Sequence, residues 1–545
     1  MKLKSASVIE RLRKALQLLQ QQAYRPLILS LAIGALVGLV TVAFILLTGQ
    51  LAARMYPAGG SGWRRVLVPT AGSLITGYLL WRFFPFARGS GIPQTKFALF
   101  INDGRIAFRT VFGKFFCCSA SLASGIALGR EGPSVQIGAG LASVVARGAG
   151  LGKEDIKALA PVGCSAALAA AFNTPIAGVL FTLEEIMGDL HAPVLGTAVL
   201  SSATSWIVLH LVLGDDPLFH VPAYQLVHPA EMMVYAVLGL VGGLGSVAFV
   251  KLLLSLRQWF KGFPKGSVWL QPVAGGLTVG LMGLFLPDVM GVGYSFIDKV
   301  LNGEVVLRAV VLLAVFKIVA TAVAYGSGNA GGIFGPSLFI GATMGAAVGS
   351  IAHRFFPAYT AGPGAYALVG MGTAFAGIVR TPLTSVIMIF EMTRDYTIIV
   401  PLMISNLIAY LISYGLQRMP IYEALAHQDG VHLPIANTRD EAARMRVSQA
   451  MRPVPAVLRE EEPDTQEFKR LAALVAESAT VPPHVHPDHQ LSLALERIGA
   501  TGLTVLPVIS RADTRRLLGI VLLDDVLRAF GVSRPSEARE SAGLN

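Results

Sequence analysis

Charged side chains are scarce in this 545-residue chain, where Asp, Glu, Lys and Arg make up 14% of the residues and hydrophobic residues 53%. With a mean hydropathy of +0.61, this composition excludes an ordinary soluble protein. Cysteine is nearly absent, and Cys117, Cys118 and Cys164 show neither a favourable disulfide arrangement nor metal-ligand spacing. We interpret them as packing residues. No nucleophile with a paired base and no phosphate-binding loop is visible, so the sequence does not indicate an enzyme.

Long apolar runs are present instead, and they predict a polytopic membrane protein. Several approach the roughly 20 residues that a spanning helix needs, namely 27–48, 66–80, 232–254, 305–324 and 399–416. Two further apolar stretches, 135–145 and 333–348, are short or interrupted by glycine. Such stretches are typical of helices that end partway through a bilayer.

The distribution of charge predicts topology. The net charge is +11, and residues 1–26 carry six basic side chains against one acid, so the positive-inside rule places this segment in the cytoplasm. A second basic cluster should face the same side and consists of Lys251, Arg257, Lys261 and Lys265. Because many basic residues lie at the ends of apolar segments, nucleic-acid binding is not indicated.

An internal repeat divides the membrane region into two halves. GREGPSVQIGA at 129–139 matches GIFGPSLFIGA at 332–342 in seven of eleven positions, at an offset of 332 − 129 = 203. TPIAGVLFTLE at 174–184 matches TPLTSVIMIFE at 381–391, at an offset of 381 − 174 = 207. Two collinear matches indicate homologous halves, about 27–215 and 229–420, with a substrate site where they meet.

Each copy of the first motif should open a helix, because Pro133 and Pro336 suit a first helical turn. The free N–H groups and the positive dipole end of such helices attract an anion. Glu131 would then be a built-in competitor for a mobile anion. The alternatives are that Glu131 pairs with Arg130 or caps its own helix.

Three motifs, GSGIP at 89–93, GREGP at 129–133 and GIFGP at 332–336, resemble in order and spacing the CLC family of chloride channels and chloride/proton exchangers. The resemblance extends to about residue 425. It implies an all-α inverted-repeat membrane fold with half-helices, a homodimer with one anion pathway per protomer, and a secondary transporter without a cofactor. The loops that it implies around the anion contain Gly89, Gly91, Pro93, Gly129, Arg130, Gly132, Pro133, Gly332, Gly335 and Pro336.

The resemblance also implies individual roles. The Ser90 hydroxyl and the backbone amides of Ile333 and Phe334 would bind a central chloride, and the Tyr422 phenol would close its inner side. Serine at position 90 implies a preference for chloride over nitrate. Glu131 would be the gating glutamate, which occupies the anion path when ionised and leaves it when protonated.

Glu185 bears on the choice between exchanger and channel. Its counterpart in the second half is Met392, whereas Glu184 is matched by Glu391, so Glu185 is not part of the repeat. It matches the inner proton-transfer glutamate of family exchangers. The alternative is a solvated acid at a helix end, at the dimer interface. With Glu131 and Glu185 both present we favour chloride/proton exchange, the alternative being a voltage- or pH-gated passive chloride channel. Gln94 departs from the glutamate that many relatives carry.

The polar region 428–545 resembles a degenerate pair of CBS-type motifs in the cytoplasm. Residues 501–530 are predicted to form strand, turn, strand and helix. The second motif spans about 479–530, with Asp524 or Asp525 where such domains often bind a ribose. The first, about 446–478, lacks its expected strand, which puts adenine-nucleotide binding in doubt. A Pro-rich segment with His484, His486 and His489 has no cysteine partner, so no metal is assigned.

These patterns together divide the chain into a cytoplasmic N-terminal segment 1–26, a transmembrane domain 27–427 and a cytoplasmic region 428–545. The expected location is a bacterial inner membrane with both termini in the cytoplasm, and the expected partners are chloride, protons, lipid and a second copy of the chain. A cation transporter would need acids along its path, whereas these loops offer N–H and hydroxyl groups.

Overall fold

The computed structural model describes residues 25–55, 61–215, 218–219, 221–222, 224, 226–431, 445–453, 483–513 and 516–529. The chain forms two compact units, Met1–Leu433 and Pro434–Asn545. Nearly all of the basic N-terminal segment and most of the predicted first CBS-type motif lie outside the described residues.

The described part of the first unit is helical, and its helices occur in two series with the same order. The first series is α1 (Arg25–Met55), α2 (Gly62–Arg82), α3 (Ile92–Ile101), α4 (Phe108–Ala123), α5 (Glu131–Gly148), α6 (Lys153–Phe172), α7 (Pro175–Phe181) and α8 (Leu195–Leu213). The second is α9 (Glu231–Lys261), α10 (Gln271–Phe285), α11 (Tyr294–Leu301), α12 (Leu307–Gly326), α13 (Phe334–Phe355), α14 (Pro363–Val379), α15 (Pro382–Thr393) and α16 (Ile399–Leu416). A final helix, α17 (Ile421–Gln428), follows.

The predicted all-α polytopic fold is confirmed, since seven helices among the described residues are long and apolar enough to cross a membrane. The interpretation of 333–348 as part of a helix that ends partway through the bilayer stays a prediction. Helix α13 has 22 residues, which at about 1.5 Å per residue is long enough to span. Its glycines do not interrupt it because they face a neighbouring helix. The short helices are α3, α7, α11 and α17.

Close helix packing is repeated in the two halves. An ideal Cβ atom on Gly138 of α5 would lie 2.3 Å from the carbonyl oxygen of Gly163 in α6. At the equivalent crossing of α13 and α14, a Cβ atom on Gly341 would lie 2.2 Å from the carbonyl oxygen of Gly370. Small residues that let helix backbones touch are a principal means of helix association in membranes.

The repeat-related glutamates join the halves by capping each other's helices. The Glu391 carboxylate accepts hydrogen bonds from the backbone N–H groups of Ile176 at 2.9 Å and Ala177 at 2.7 Å, in the first turn of α7. The Glu184 carboxylate accepts from the N–H of Thr384 at 2.7 Å in α15. Each acid satisfies N–H groups that have no partner within their own helix.

The second unit contains α18 (Val447–Ala450), β1 (Arg452–Pro453), α19 (Leu491–Thr501), β2 (Val505–Ile509), β3 (Leu517–Leu522) and α20 (Leu523–Ala529). Its antiparallel sheet has the order β1-β3-β2. The succession β2, β3, α20 confirms the predicted strand, turn, strand and helix.

Three polar groups in this unit are engaged within the protein. The Asp525 carboxylate pairs with the Arg452 guanidinium at 2.7 Å. The His486 ring nitrogen Nδ1 lies 2.9 Å from the carbonyl oxygen of Ile509, and the His489 Nδ1 accepts a hydrogen bond from the N–H of His486. Among the residues described, no group of three or more potential metal ligands occurs.

The three cysteines lie in the membrane unit, where Cys117, Cys118 and Cys164 are buried and free of disulfides. Their burial agrees with a packing role.

Gly163→Ala should destabilise the membrane unit. A Cβ atom at position 163 would lie 2.2 Å from the carbonyl oxygen of Gly138, and a backbone atom cannot move aside cheaply. We expect a loss of roughly 1–3 kcal/mol in the free energy of unfolding, measured as a lower melting temperature of the purified protein. The control is Gly49→Ala in α1, where nothing lies within 4 Å. Equal melting temperatures for the two variants would contradict the close-packing account.

Candidate anion site

Two repeat-related glycines bring the halves together at the centre of the unit. The N–H of Gly129 donates to the carbonyl oxygen of Gly332 at 2.7 Å, and the N–H of Gly332 donates to the carbonyl oxygen of Gly129 at 2.7 Å. Helices α5 and α13 begin two residues after these glycines, so their N-termini converge. A Cβ atom on Gly129 would lie 2.9 Å from the Gly335 nitrogen, so the contact requires glycine there.

The loop that carries Ser90 packs against the same place. Gly89 and Gly91 adopt φ values of +86° and +104°, which side chains other than glycine rarely tolerate. A Cβ atom on Gly132, in the first turn of α5, would lie 2.6 Å from the Ser90 carbonyl oxygen. The Gly91 N–H donates to Oε1 of Gln94 at 2.9 Å. The departure at position 94 therefore supplies a helix cap for α3.

A buried lysine holds this loop, and another holds its counterpart in the second half. Lys114 Nζ donates to the carbonyl oxygens of Ala87 at 3.0 Å and Gly89 at 2.5 Å. Lys317 Nζ donates to the carbonyl oxygens of Val289 at 2.9 Å and Gly291 at 2.7 Å. Sequence reasoning missed both lysines. Their offset of 317 − 114 = 203 equals that of the first repeated motif and could have revealed them.

Two buried hydroxyl groups at the site have no hydrogen-bond partner, namely Oγ of Ser90 and the phenol of Tyr422. Both residues are 0% exposed. Tyr325 lies beside Ser90, but the pair does not meet hydrogen-bond geometry. Buried polar groups in proteins are nearly always satisfied, and leaving one without a partner costs about 1–3 kcal/mol. Each of these two hydroxyl groups is therefore available to donate to an anion.

Ile333 and Phe334 lie at the N-terminal end of α13. Helix α13 begins at Phe334 directly after Ile333, and the first N–H groups of a helix have no partner within it. The Phe334 ring packs against Phe172, Phe181 and Phe375, with centroid distances of 4.6, 5.5 and 4.2 Å. This aromatic cluster fixes the start of α13 in an apolar environment.

Glu131 reaches across to the other half. Its side chain is fully buried, Oε1 accepts a hydrogen bond from the Tyr294 phenol, and Oε2 accepts one from the N–H of Gly335 at 3.2 Å. Arg130 is more distant, with Nε 3.9 Å from Glu131 Oε1 and its guanidinium over the Tyr294 ring. The carboxylate therefore binds at the N-terminus of α13, a position that in general attracts anions.

Sequence reasoning missed Tyr294. Residues 85–93, PFARGSGIP, correspond to residues 287–295, PDVMGVGYS, at an offset of 291 − 89 = 202. This weaker match could have identified the second-half counterpart of the anion loop, and with it Tyr294.

Glu185 lies in the π-helical turn Thr182–Met187. The alternative of a solvated acid is wrong, because Glu185 is 5% exposed and its Oε1 lies 2.9 Å from the Lys96 ammonium. The Tyr422 phenol interacts electrostatically with both Glu131 and Glu185. The predicted gate and the predicted proton-transfer acid are thus within electrostatic range of one hydroxyl.

A cavity of about 600 Å³ leads to the anion loop at Gly89 and Gln94. Five basic residues line it, namely Arg88, Arg105, Arg257, Lys261 and Lys265. Among the described lining residues the one acid is Asp429, which pairs with Arg257 and Lys261. A cleft of this sign raises the local concentration of anions.

Comparison with known proteins gives a consistent result. The sequence profile described as "Voltage gated chloride channel" matches residues 72–414. The chain is 33% identical over 383 residues to a ClcB-like chloride channel protein of Ralstonia nicotianae, covering 69% of this chain and 89% of that protein. It is 34% identical over 376 residues to the H(+)/Cl(-) exchange transporter ClcA of Vibrio cholerae, covering 67% and 80%.

Solved structures agree with the sequence relatives. The slow cyanobacterial Cl-/H+ antiporter superimposes with a TM-score of 0.69 at 26% identity, covering 74% of this chain and 98% of that one. A eukaryotic CLC transporter superimposes with a TM-score of 0.66 at 21% identity, covering 92% and 98%, and this likeness concerns the fold.

Tyr294→Phe should strengthen anion binding. Loss of the phenol removes one of the two donors that hold the Glu131 carboxylate in the site, so chloride competes with it more easily. A hydrogen bond to a charged group is worth about 1.5–3 kcal/mol, so we expect chloride affinity to rise about tenfold or more by isothermal titration calorimetry.

The matched control is Tyr235→Phe, which removes a phenol that donates to Glu231 at 3.3 Å. Chloride affinity should be unchanged in that variant. An unchanged affinity in Tyr294→Phe, or the same rise in both variants, would contradict the role of Tyr294.

Proposed function

The chain belongs to the voltage-gated chloride channel (CLC) family, and we propose that it exchanges chloride for protons across the membrane, gated by Glu131. The observation that carries the proposal is the placement of this buried carboxylate at the N-terminus of α13. The N–H group of Gly335, which would otherwise attract an anion, donates instead to the Glu131 carboxylate, and this carboxylate can accept a proton. The relatives named as H(+)/Cl(-) exchange transporters support the same activity.

The bound anion is held by neutral donors. Ser90 Oγ, the Tyr422 phenol and the N–H groups of Ile333 and Phe334 form the central site. Support comes from the two buried hydroxyls without protein partners and from the start of α13 at Phe334. Hydroxyl and N–H donors replace the weak hydration shell of chloride without a full positive charge, which would hold the ion too firmly for transport.

Protonation of Glu131 couples the two ions. As a carboxylate it accepts from Gly335 and Tyr294 and excludes chloride from the end of α13. A proton on the carboxyl removes its charge, the side chain leaves these donors, and chloride takes its place. The proton thus travels on Glu131 as the anion site becomes free, and Glu185 passes protons between the cytoplasm and Glu131.

The alternative is a passive chloride channel of the same fold. The ClcB-like relative named as a chloride channel protein favours this alternative. We favour exchange because Glu185 provides a second buried acid, apart from the helix N-termini. Ionisable groups inside membrane proteins are costly and usually functional.

The proposal includes the assembly and location of the chain. We place it in a bacterial inner membrane as a homodimer, with both termini cytoplasmic and the transmembrane domain at 27–427. Apolar side chains exposed on α8 and α16 support a contact with lipid or a second copy, including Val199, Ile207, Leu211, Met403, Leu407 and Leu411. The excess of basic residues in 1–26 supports the orientation.

Region 428–545 is assigned as a cytoplasmic CBS-type regulatory region, with its second motif at about 479–530. The succession β2, β3, α20 supports the assignment. A nucleotide ligand is not included in the proposal. The Asp525 carboxylate is engaged by Arg452, so it would have to exchange this partner for a ribose.

The first test is uphill proton transport in liposomes that contain the purified protein. With voltage clamped by a potassium ionophore, a chloride gradient should drive protons against their own gradient, because chloride enters the site only when Glu131 carries a proton. Proton movement is followed with a pH electrode and chloride efflux with a chloride electrode. Chloride flux without uphill proton movement would establish the channel instead.

The same assay tests the two acids. Glu131→Ala and Glu185→Gln should each abolish proton movement while chloride continues to flow, since one removes the proton carrier and the other its supply. Glu304→Gln, at an exposed position, is the control and should retain coupled transport. Intact proton pumping in either acid variant would remove that residue from the mechanism.

A further inference from the structure

A buried cluster of two acids and one base lies next to the site. Lys96 Nζ of α3 binds Oε1 of Glu185 at 2.9 Å and also binds Oε1 of Glu423 in α17. All three residues are less than 9% exposed. Oε2 of Glu423 is buried and accepts no hydrogen bond. Three separate elements therefore meet at one ammonium group.

Charge counting indicates that the cluster takes up a proton. With every group ionised its charge is +1 − 2 = −1, and a net charge out of contact with water is unfavourable. One added proton makes the cluster neutral. Glu423 Oε2 is the atom best placed to receive it, because a carboxylate oxygen without a donor gains most from becoming an O–H group.

We propose that Glu423 is a further proton-carrying carboxylate of the transport cycle, paired through Lys96 with Glu185 so that the two acids hold one proton between them. The proposal rests on the proposed function. A proton from water forms an O–H bond at Glu423 Oε2 while Oε1 stays with Lys96, and release of that proton restores the carboxylate. No electron transfer or further reactant is involved.

The position of Glu423 relates this proton to the anion path. It follows Tyr422 directly in α17, and the Tyr422 phenol interacts electrostatically with Glu423, Glu185 and Glu131. Lys96 lies on α3, the helix that begins at the Ser90 loop. Uptake of a proton by the cluster therefore changes the charge beside the phenol that faces the anion.

Other charged groups near the cluster do not neutralise it. The Glu184 carboxylate interacts with Glu185 but is bound to N–H groups of α15. Arg380 interacts with Glu423 at longer range, and its guanidinium donates to the carbonyl oxygens of Ser413 and Gln417. Lys96 is the cation in direct contact with both acids.

The test compares two variants that should shift the pH dependence of proton-coupled transport in opposite directions. Glu423→Gln keeps the size of the side chain and leaves Lys96 and Glu185 as a neutral pair without an added proton. The remaining acid, Glu185, should therefore be protonated only at lower pH. We expect a shift to acid by about one pH unit, equivalent to about a tenfold loss of proton flux at pH 7. Lys96→Met leaves two acids without their cation and should shift the profile to higher pH.

Two further measurements separate a proton carrier from a structural anchor. Glu423→Asp keeps the carboxyl group and should restore coupled transport. Infrared difference spectra of the purified protein across a pH titration should show one protonated carboxyl band that is lost in both Glu423→Gln and Glu185→Gln.

Each result of these measurements either supports or contradicts the proton-carrying role of Glu423. Opposite shifts with loss of the shared band would support the proposal. A wild-type coupling ratio and pH profile in Glu423→Gln, or flux lost in both variants without opposite shifts, would overturn it. If the unaltered protein moves no protons uphill, the proposed function fails. The infrared titration then still shows whether the two acids share a proton.

Discussion

The reciprocal hydrogen bonds between Gly129 and Gly332 are the contact on which the arrangement of the site depends. Each glycine precedes a central helix of its half, so the pair directs the N-termini of α5 and α13 to one buried point. A single helix end contributes only about 0.3–1 kcal/mol to binding a charge at a protein surface. Two ends converging in apolar surroundings act on the same small volume, where water screens them far less. Glu131 from one helix then binds at the end of the other.

The buried cations near this point do not face the anion directly. Lys114 and Lys317 donate to loop carbonyls, and Lys96 is held by two acids. An ammonium in contact with chloride at low dielectric would bind it strongly and slow its release. In the proposed site the two loop lysines fix loops instead, and neutral hydroxyl and N–H donors contact the ion. Binding can then be selective and still reversible.

The repeat and the short motifs predicted the residues that lie along the chain's own pattern, such as Gly129, Gly332 and Glu131. They missed the residues that contact the site from distant parts of the sequence. Lys96 and Glu423 are 327 residues apart, and Tyr294 is 163 residues from Glu131, so no local spacing connects them. The full length of α13 was not apparent from the sequence for a related reason. Glycine within an apolar stretch is easily interpreted as a helix break. The glycines of α13 instead allow close packing against α14, and the sequence alone does not show that α14 lies beside α13.

Competition for one set of donors is enough to link protons and chloride, but it does not by itself give exchange. If chloride and the ionised Glu131 exclude each other, bound chloride raises the proton affinity of Glu131. Protonation of Glu131 must then raise the chloride affinity of the site by the same factor. Net exchange further requires that protons reach Glu131 by a route that chloride does not follow. In the proposal, Glu185 and Glu423 supply this route, since they lie on the π-helical turn and on α17 and not on α5 or α13. A negatively charged cluster would also repel chloride from that route, so the charge that allows proton uptake keeps the two paths separate.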